Sequence, residues 1–150
     1  MTNDLSLNAQ DHLQLGVMAV QAGDLETARE EFVAVLEAHP SHLETRYKLG
    51  WVLASLGAWE EAIQQLRQTL QMQPDHPEAN YNLGAILLQK AQVEAAADGR
   101  METAVLTEAK ACFEKVLETD PFDQRAFAFI NLLKRAIEGY GELPPPTQEE

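Results

Sequence analysis

The chain is poor in several residue types, and each shortage closes off a class of explanation. It holds one cysteine, Cys112, in 150 residues. No internal disulfide framework can form, and a lone thiol is compatible with a reducing compartment. Cys112 precedes Phe113 in an apolar helical pattern and has no partner motif, so it reads as structural. Apolar runs are short, and none approaches the roughly 18 residues of a membrane span. Met1 to Asn8 carry neither a basic cluster nor an apolar stretch, so no secretory leader is expected. Bases are scarce: 11 Lys and Arg stand against 24 Asp and Glu, for a net charge of −13. That excess argues against nucleic acid and against anionic membrane surfaces. It favours solubility, and it favours partners that are basic or apolar.

Catalytic signatures are missing too. There is no P-loop, no Gly-x-Ser-x-Gly and no Cys-x-x-Cys. His39 and His42 flank Pro40-Ser41, and His76 falls in a matching turn further on. With His12 they make four histidines, whose recurrence follows a repeated turn. A metal site needs further ligands in defined geometry. Glu60-Glu61 opens a helix, where acids favour the dipole. The chain is therefore read as a non-enzyme with no cofactor and no metal.

What is present is a repeat. Leu15-Gly16, Leu49-Gly50 and Leu83-Gly84 stand 34 residues apart. Gly23 and Gly57 keep the period, with Ala91 in the third copy. So do Ala28 and Ala62, Phe32 and Leu66, Leu36 and Leu70, and Pro40 and Pro74. Ala109, Phe113, Leu117 and Pro121 lie 47 residues after their second-copy partners, so the third copy carries 13 extra residues.

Local signals turn each copy into two helices. Leu13, Val17 and Val20, thickened by Leu15, Met18 and Ala19, form one apolar face at helical spacing. Ala22-Gly23-Asp24 is a stop. Leu25, Ala28, Phe32, Val35 and Leu36 mark a second helix, ended at His39-Pro40 because the residue before proline disfavours helix. Ser41 with Glu44, and Asp75 with Glu78, read as capping boxes for the third and fifth helices. A glycine inside a helix costs about 1 kcal/mol against alanine. Its use at three equivalent places implies close approach of the paired helix, with Ala28, Ala62 and Ala109 opposite.

The order Leu-Gly, Gly, Ala, aromatic or Leu, then Pro, at this period, resembles the tetratricopeptide repeat (TPR) family. The resemblance implies an all-α, right-handed α-solenoid of three antiparallel helix pairs plus a C-terminal capping helix. Residues 1–8 would be a flexible N-terminus and 9–140 the repeat domain, with copies at about 9–42, 43–76 and 77–123. The 13-residue insertion falls near 91–103. Gln92 to Ala97 favour helix and Asp98-Gly99 is a turn. Both helices should lengthen by roughly six residues each, projecting a hairpin about 9 Å. Such a hairpin is either a partner contact or a tolerated extension. A capping helix is expected at about 123–138, with Phe127 and Ile130 covering the last pair and Asn131 in place of the repeat glycine. Residues 141–150, with Leu143-Pro144-Pro145-Pro146, read as a disordered acidic tail.

The resemblance also implies where function would lie. In this family the first helix of each pair lines a concave groove. The matching positions give a peptide-binding set of Leu13, Val17, Tyr47, Lys48, Trp51, Tyr81, Asn82, Leu88, Arg125 and Phe129. Exposed aromatic patches mark binding surfaces, and an asparagine amide both donates to and accepts from a peptide backbone. The alternative is that Tyr47, Trp51 and Tyr81 only pack between helices. Co-chaperone members of the family clamp the terminal carboxylates of chaperone tails with lysines, asparagines and an arginine. The matching positions here hold Leu13, Val17, Lys48, Glu78 and Asn82, so no dicarboxylate clamp is expected. The expected function is a cytoplasmic protein–protein interaction module: an adaptor, co-chaperone or assembly factor. The alternative is a self-associating scaffold or homodimer, with the groove or the cap face (Phe129, Leu132, Leu133) buried between copies.

Overall fold

Helix stop signals divide the chain at the places where its turns fall. The computed structural model describes residues 6–99 and 101–139. Within them the chain forms seven helices and no strand: α1 (Leu7–Ala22), α2 (Leu25–Ala38), α3 (Leu43–Ser55), α4 (Trp59–Met72), α5 (Pro77–Asp98), α6 (Thr103–Thr119) and α7 (Gln124–Ile137). Gly23 ends α1 at φ 78° and Gly99 ends α5 at φ 73°. Only glycine takes that left-handed geometry without strain. Residues 1–5, Arg100 and 140–150 lie outside the described residues, so the expected tail at 141–150 and most of the expected flexible N-terminus do too.

Three helix starts differ from the sequence reading. Helix α1 begins at Leu7, inside the stretch assigned to the N-terminus, because the Ser6 hydroxyl accepts from the Ala9 N–H at 3.3 Å. The caps of α3 and α5 are His42 and His76, not Ser41 and Asp75. His42 Nδ1 accepts from the Thr45 N–H at 3.3 Å, and His76 Nδ1 from the Ala79 N–H at 3.1 Å. Pro77 holds the first position of α5, which makes the residue before it the cap. Both imidazoles are buried.

The chain forms two compact units, dividing between Met72 and Gln73. In the first, α1 packs on α2, α2 on α3 and α3 on α4. Its core is Ala28, Phe32, Val35, Val52, Ala62 and Leu66, all fully buried. In the second, α5 packs on α6 and α6 on α7, around Phe113, Ala109, Ala126 and Leu133.

The repeat glycines are seats for the covering helix. A Cβ on Gly16 would stand 2.5 Å from the Phe32 ring. On Gly50 it would stand 2.9 Å from Leu66, and on Gly84 2.9 Å from Phe113. The nearest atoms thus belong to Phe32, Leu66 and Phe113. The small alanines contribute by bringing backbone close, with the Ala109 carbonyl 3.2 Å from the Gly84 position.

The insertion is not shared evenly between the two arms. Helix α5 has 22 residues against 13 in α3, whereas α6 has 17 against 14 in α4. The extra length sits mostly in α5. Two apolar expectations also fail. Leu15 is 48% exposed although Leu49 and Leu83 are 3% exposed; no described helix precedes α1 to cover it. Phe127 is 60% exposed and does not cover the last pair. Ala126, Ile130 and Leu133 do so, three and four residues apart on a face about a quarter turn from Phe127.

Candidate functional site

In the first unit, α1 carries Leu13 and Val17 and α3 carries Tyr47, Lys48 and Trp51. Leu13, Val17, Tyr47 and Lys48 are half-buried. Trp51 is 43% exposed, a large apolar side chain left facing water. The Lys48 ammonium lies 5.5 Å from the Tyr47 ring centre and 3.5 Å from Glu44. Cation–π attraction and the ion pair both hold it against α3.

The neighbouring side of α3 is fixed by Arg46. Its guanidinium donates to Gln65 at 2.7 Å and Gln68 at 2.6 Å on α4, and to the Pro40 carbonyl. Burial pulls its pKa below the usual value. His12, one repeat earlier, meets Glu31 of α2 at 2.5 Å. Asn80, one repeat later, donates to the Pro74 and His76 carbonyls at 3.0 and 3.1 Å. These three share one repeat position and orient the first helix of each pair. Their polarity at a fixed spacing of 34 was the signal that would have found them.

In the second unit an aromatic cluster forms. Phe113 and Phe129 stack at 4.7 Å, and Tyr81 meets each edge-on, at 5.6 Å from Phe113 and 6.2 Å from Phe129. The Arg125 guanidinium sits 4.6 Å over the Tyr81 ring and 3.1 Å from Asp123. Asp123 caps α7, and the Ala126 N–H with the Arg125 guanidinium holds its carboxyl below the usual range. Asp123 in turn raises the Arg125 pKa. Asn82 is half-buried beside Tyr81 in the sequence.

Leu88 drops out of the expected set. It is 4% exposed, within the run Ile86, Leu87 and Leu88, where α5 is covered on more than one face. Among the cap-face residues, Leu133 is fully buried and Phe129 is half-buried, stacked on Phe113. Leu133 joins α7 to α6, while Phe129 packs on Phe113 with part of its ring left exposed. Near the end of the α5–α6 hairpin lies an open cleft of about 440 Å³, bordered by Lys90, Glu94, Asp98 and Glu102. Lys90 pairs with Glu94 at 2.8 Å. Among the described residues no cluster of His, Cys, Asp and Glu could hold a metal ion, and no helix is long and apolar enough to cross a membrane.

A tetratricopeptide repeat family model matches residues 13–67, and a second, described as TPR repeat, matches residues 50–90. The chain belongs to the tetratricopeptide repeat family. Solved TPR structures share its fold. A MamA double mutant from RS-1 is 22% identical, with a TM-score of 0.76, covering 91% of this chain and 68% of that one. The first TPR of Spaghetti (RPAP3), bound to the HSP90 peptide SRMEEVD, is 18% identical with a TM-score of 0.74, covering 92% and 99%. The second TPR domain of human RPAP3, in complex with an HSP70 peptide, is 19% identical with a TM-score of 0.67, covering 85% and 96%. At these identities the likeness is one of fold. No curated protein matches the chain at a significant level.

Proposed function

We propose that this TPR chain is a cytoplasmic protein–protein interaction module, an adaptor, co-chaperone or assembly factor. It would hold a peptide segment against the first helices of its pairs. The observation that carries this reading is Trp51, 43% exposed on α3 one turn after half-buried Tyr47. Tryptophan and tyrosine dominate interface hot spots. Leu13 and Val17 extend the apolar face in the first unit. In the second unit Tyr81, Phe129 and Arg125 offer a ring surface with one cation, and Asn82 offers an amide to a peptide backbone.

Electrostatics favour a basic or apolar partner segment over an acidic one. Lys48 and Arg125 already have carboxylate partners in Glu44 and Asp123. Glu78 is exposed in the first turn of α5 and would repel a carboxylate. The chaperone peptides seen with the RPAP3 domains are therefore not the proposed ligands.

Affinity capture from native extract, comparing wild type with Trp51→Ala and with Tyr81→Ala, tests the reading. Capture should fall at least about tenfold for a hot-spot loss of 1.4 kcal/mol or more, with helicity by circular dichroism unchanged. Equal capture would remove the site from these helix faces. Loss of capture together with loss of helicity would make the two residues core.

A further inference from the structure

Helix α7 has an outer face that the repeat pattern does not account for. Phe127 occupies the repeat position of His12, Arg46 and Asn80, and it is 60% exposed. Phe122, just before the Asp123 cap, is 89% exposed. Asn131, Lys134 and Arg135 continue the same outward face at helical spacing, and all are exposed. Helix α7 contains three basic residues and no acid, within a chain of net charge −13. The helix dipole favours Lys134 and Arg135 in the last turn, but it gives no reason for two exposed phenylalanines.

Asn131 restricts what can cover this face. It stands where the other first helices have Gly16, Gly50 and Gly84. At those positions a Cβ would come within 2.5 to 2.9 Å of the covering side chain. A side chain at 131 therefore keeps another helix from seating as closely as α2, α4 and α6 do. A single extended strand of chain is thin enough to lie there.

We propose that the outer face of α7 is the docking site of this chain's own residues 140–150. These residues lie outside the described ones. They contain Glu142, Glu149 and Glu150 and no base, with Leu143 and three successive prolines at 144–146. Proline fixes φ and pays little ordering entropy, and Pro-rich segments dock on aromatic surfaces. The reach also suffices, since Phe127 lies about 18 Å back from Gly139 along the helix and eleven residues can span up to roughly 36 Å. The tether supplies a high effective concentration, so individually weak contacts suffice.

The test uses the full chain carrying Thr147→Cys with a nitroxide label; Cys112 is buried and leaves the new thiol as the target. Backbone amides of residues 124–131 should lose most of their signal, and those of α2 should not. Phe127→Ser should restore the signals, and so should about 0.5 M salt in part, by screening the charges. Because Phe127 is exposed, its variant should keep the wild-type amide spectrum elsewhere. Uniform or absent broadening would overturn the proposal. Broadening of an unlabelled, isotope-enriched chain by a labelled second copy would also overturn it, by making the occupant another molecule.

Discussion

At the scale of single residues, Gly16 shows how one missing methyl sets the distance between two helices. Its backbone lies under the Phe32 ring, which is fully buried and so confined on all sides. Alanine would gain about 1 kcal/mol of helix propensity. Overpacking a well-filled core costs about 1 to 3 kcal/mol. With a 2.5 Å approach to be relieved, the cost wins. Gly16→Ala should lower stability by up to about 2 kcal/mol in urea titration. A stabilised variant would mean that the ring turns aside freely. Gly84→Ala should be at least as harmful, because there the Ala109 backbone carbonyl also stands 3.2 Å away and backbone yields less than a side chain.

At the scale of elements, helix starts are the sensitive points. His42 caps α3 through an unprotonated Nδ1, so capping requires the neutral ring. Burial holds its pKa below the ordinary 6.5, against the opposing pull of Glu44. The unfolded chain then binds the proton more tightly than the folded one. The stabilisation is complete above about pH 6.5 and is lost as pH falls through the folded value. Urea midpoints should drop as pH falls below about 6.5, and His42→Asn, which keeps an acceptor at the cap, should flatten that slope. Equal slopes would remove His42 as the titrating group. The caps also mark the limit of what the sequence revealed. The repeat, the helix pairs, the glycine seats and the turns at Gly23 and Gly99 were legible because each depends on local spacing. The cap identities were misread because Ser41 and Asp75 are the stronger cappers by residue type, while Pro77 fixes the start one residue later. Phe127 was misread because repeat alignment made it a core position, although His12, Arg46 and Asn80 already showed that position to be polar. Leu88 is buried along with Ile86 and Leu87, so α5 is covered there on more than one face. The aromatic cluster of the second unit depends on α6 meeting α5 and α7, which no local pattern specifies.

At the scale of the whole molecule, charge dominates. A net charge of −13 makes the folded chain repel itself. Screening should relieve that, so the melting temperature should rise by a few degrees between about 0.02 and 0.5 M sodium chloride. A flat or falling response would mean that local ion pairs such as Lys90–Glu94 outweigh the net repulsion.

The uneven insertion gives α5 two characters along one rod. From Leu83 to Ala91 it is bound into the core. Beyond Ala91, Val93, Glu94, Ala96, Ala97 and Asp98 are exposed, and intrinsic preference with the Lys90–Glu94 pair holds the turns. Amide protons there should exchange with solvent sooner than those of the buried half. The same helix is thus a core beam at one end and an outlying arm at the other.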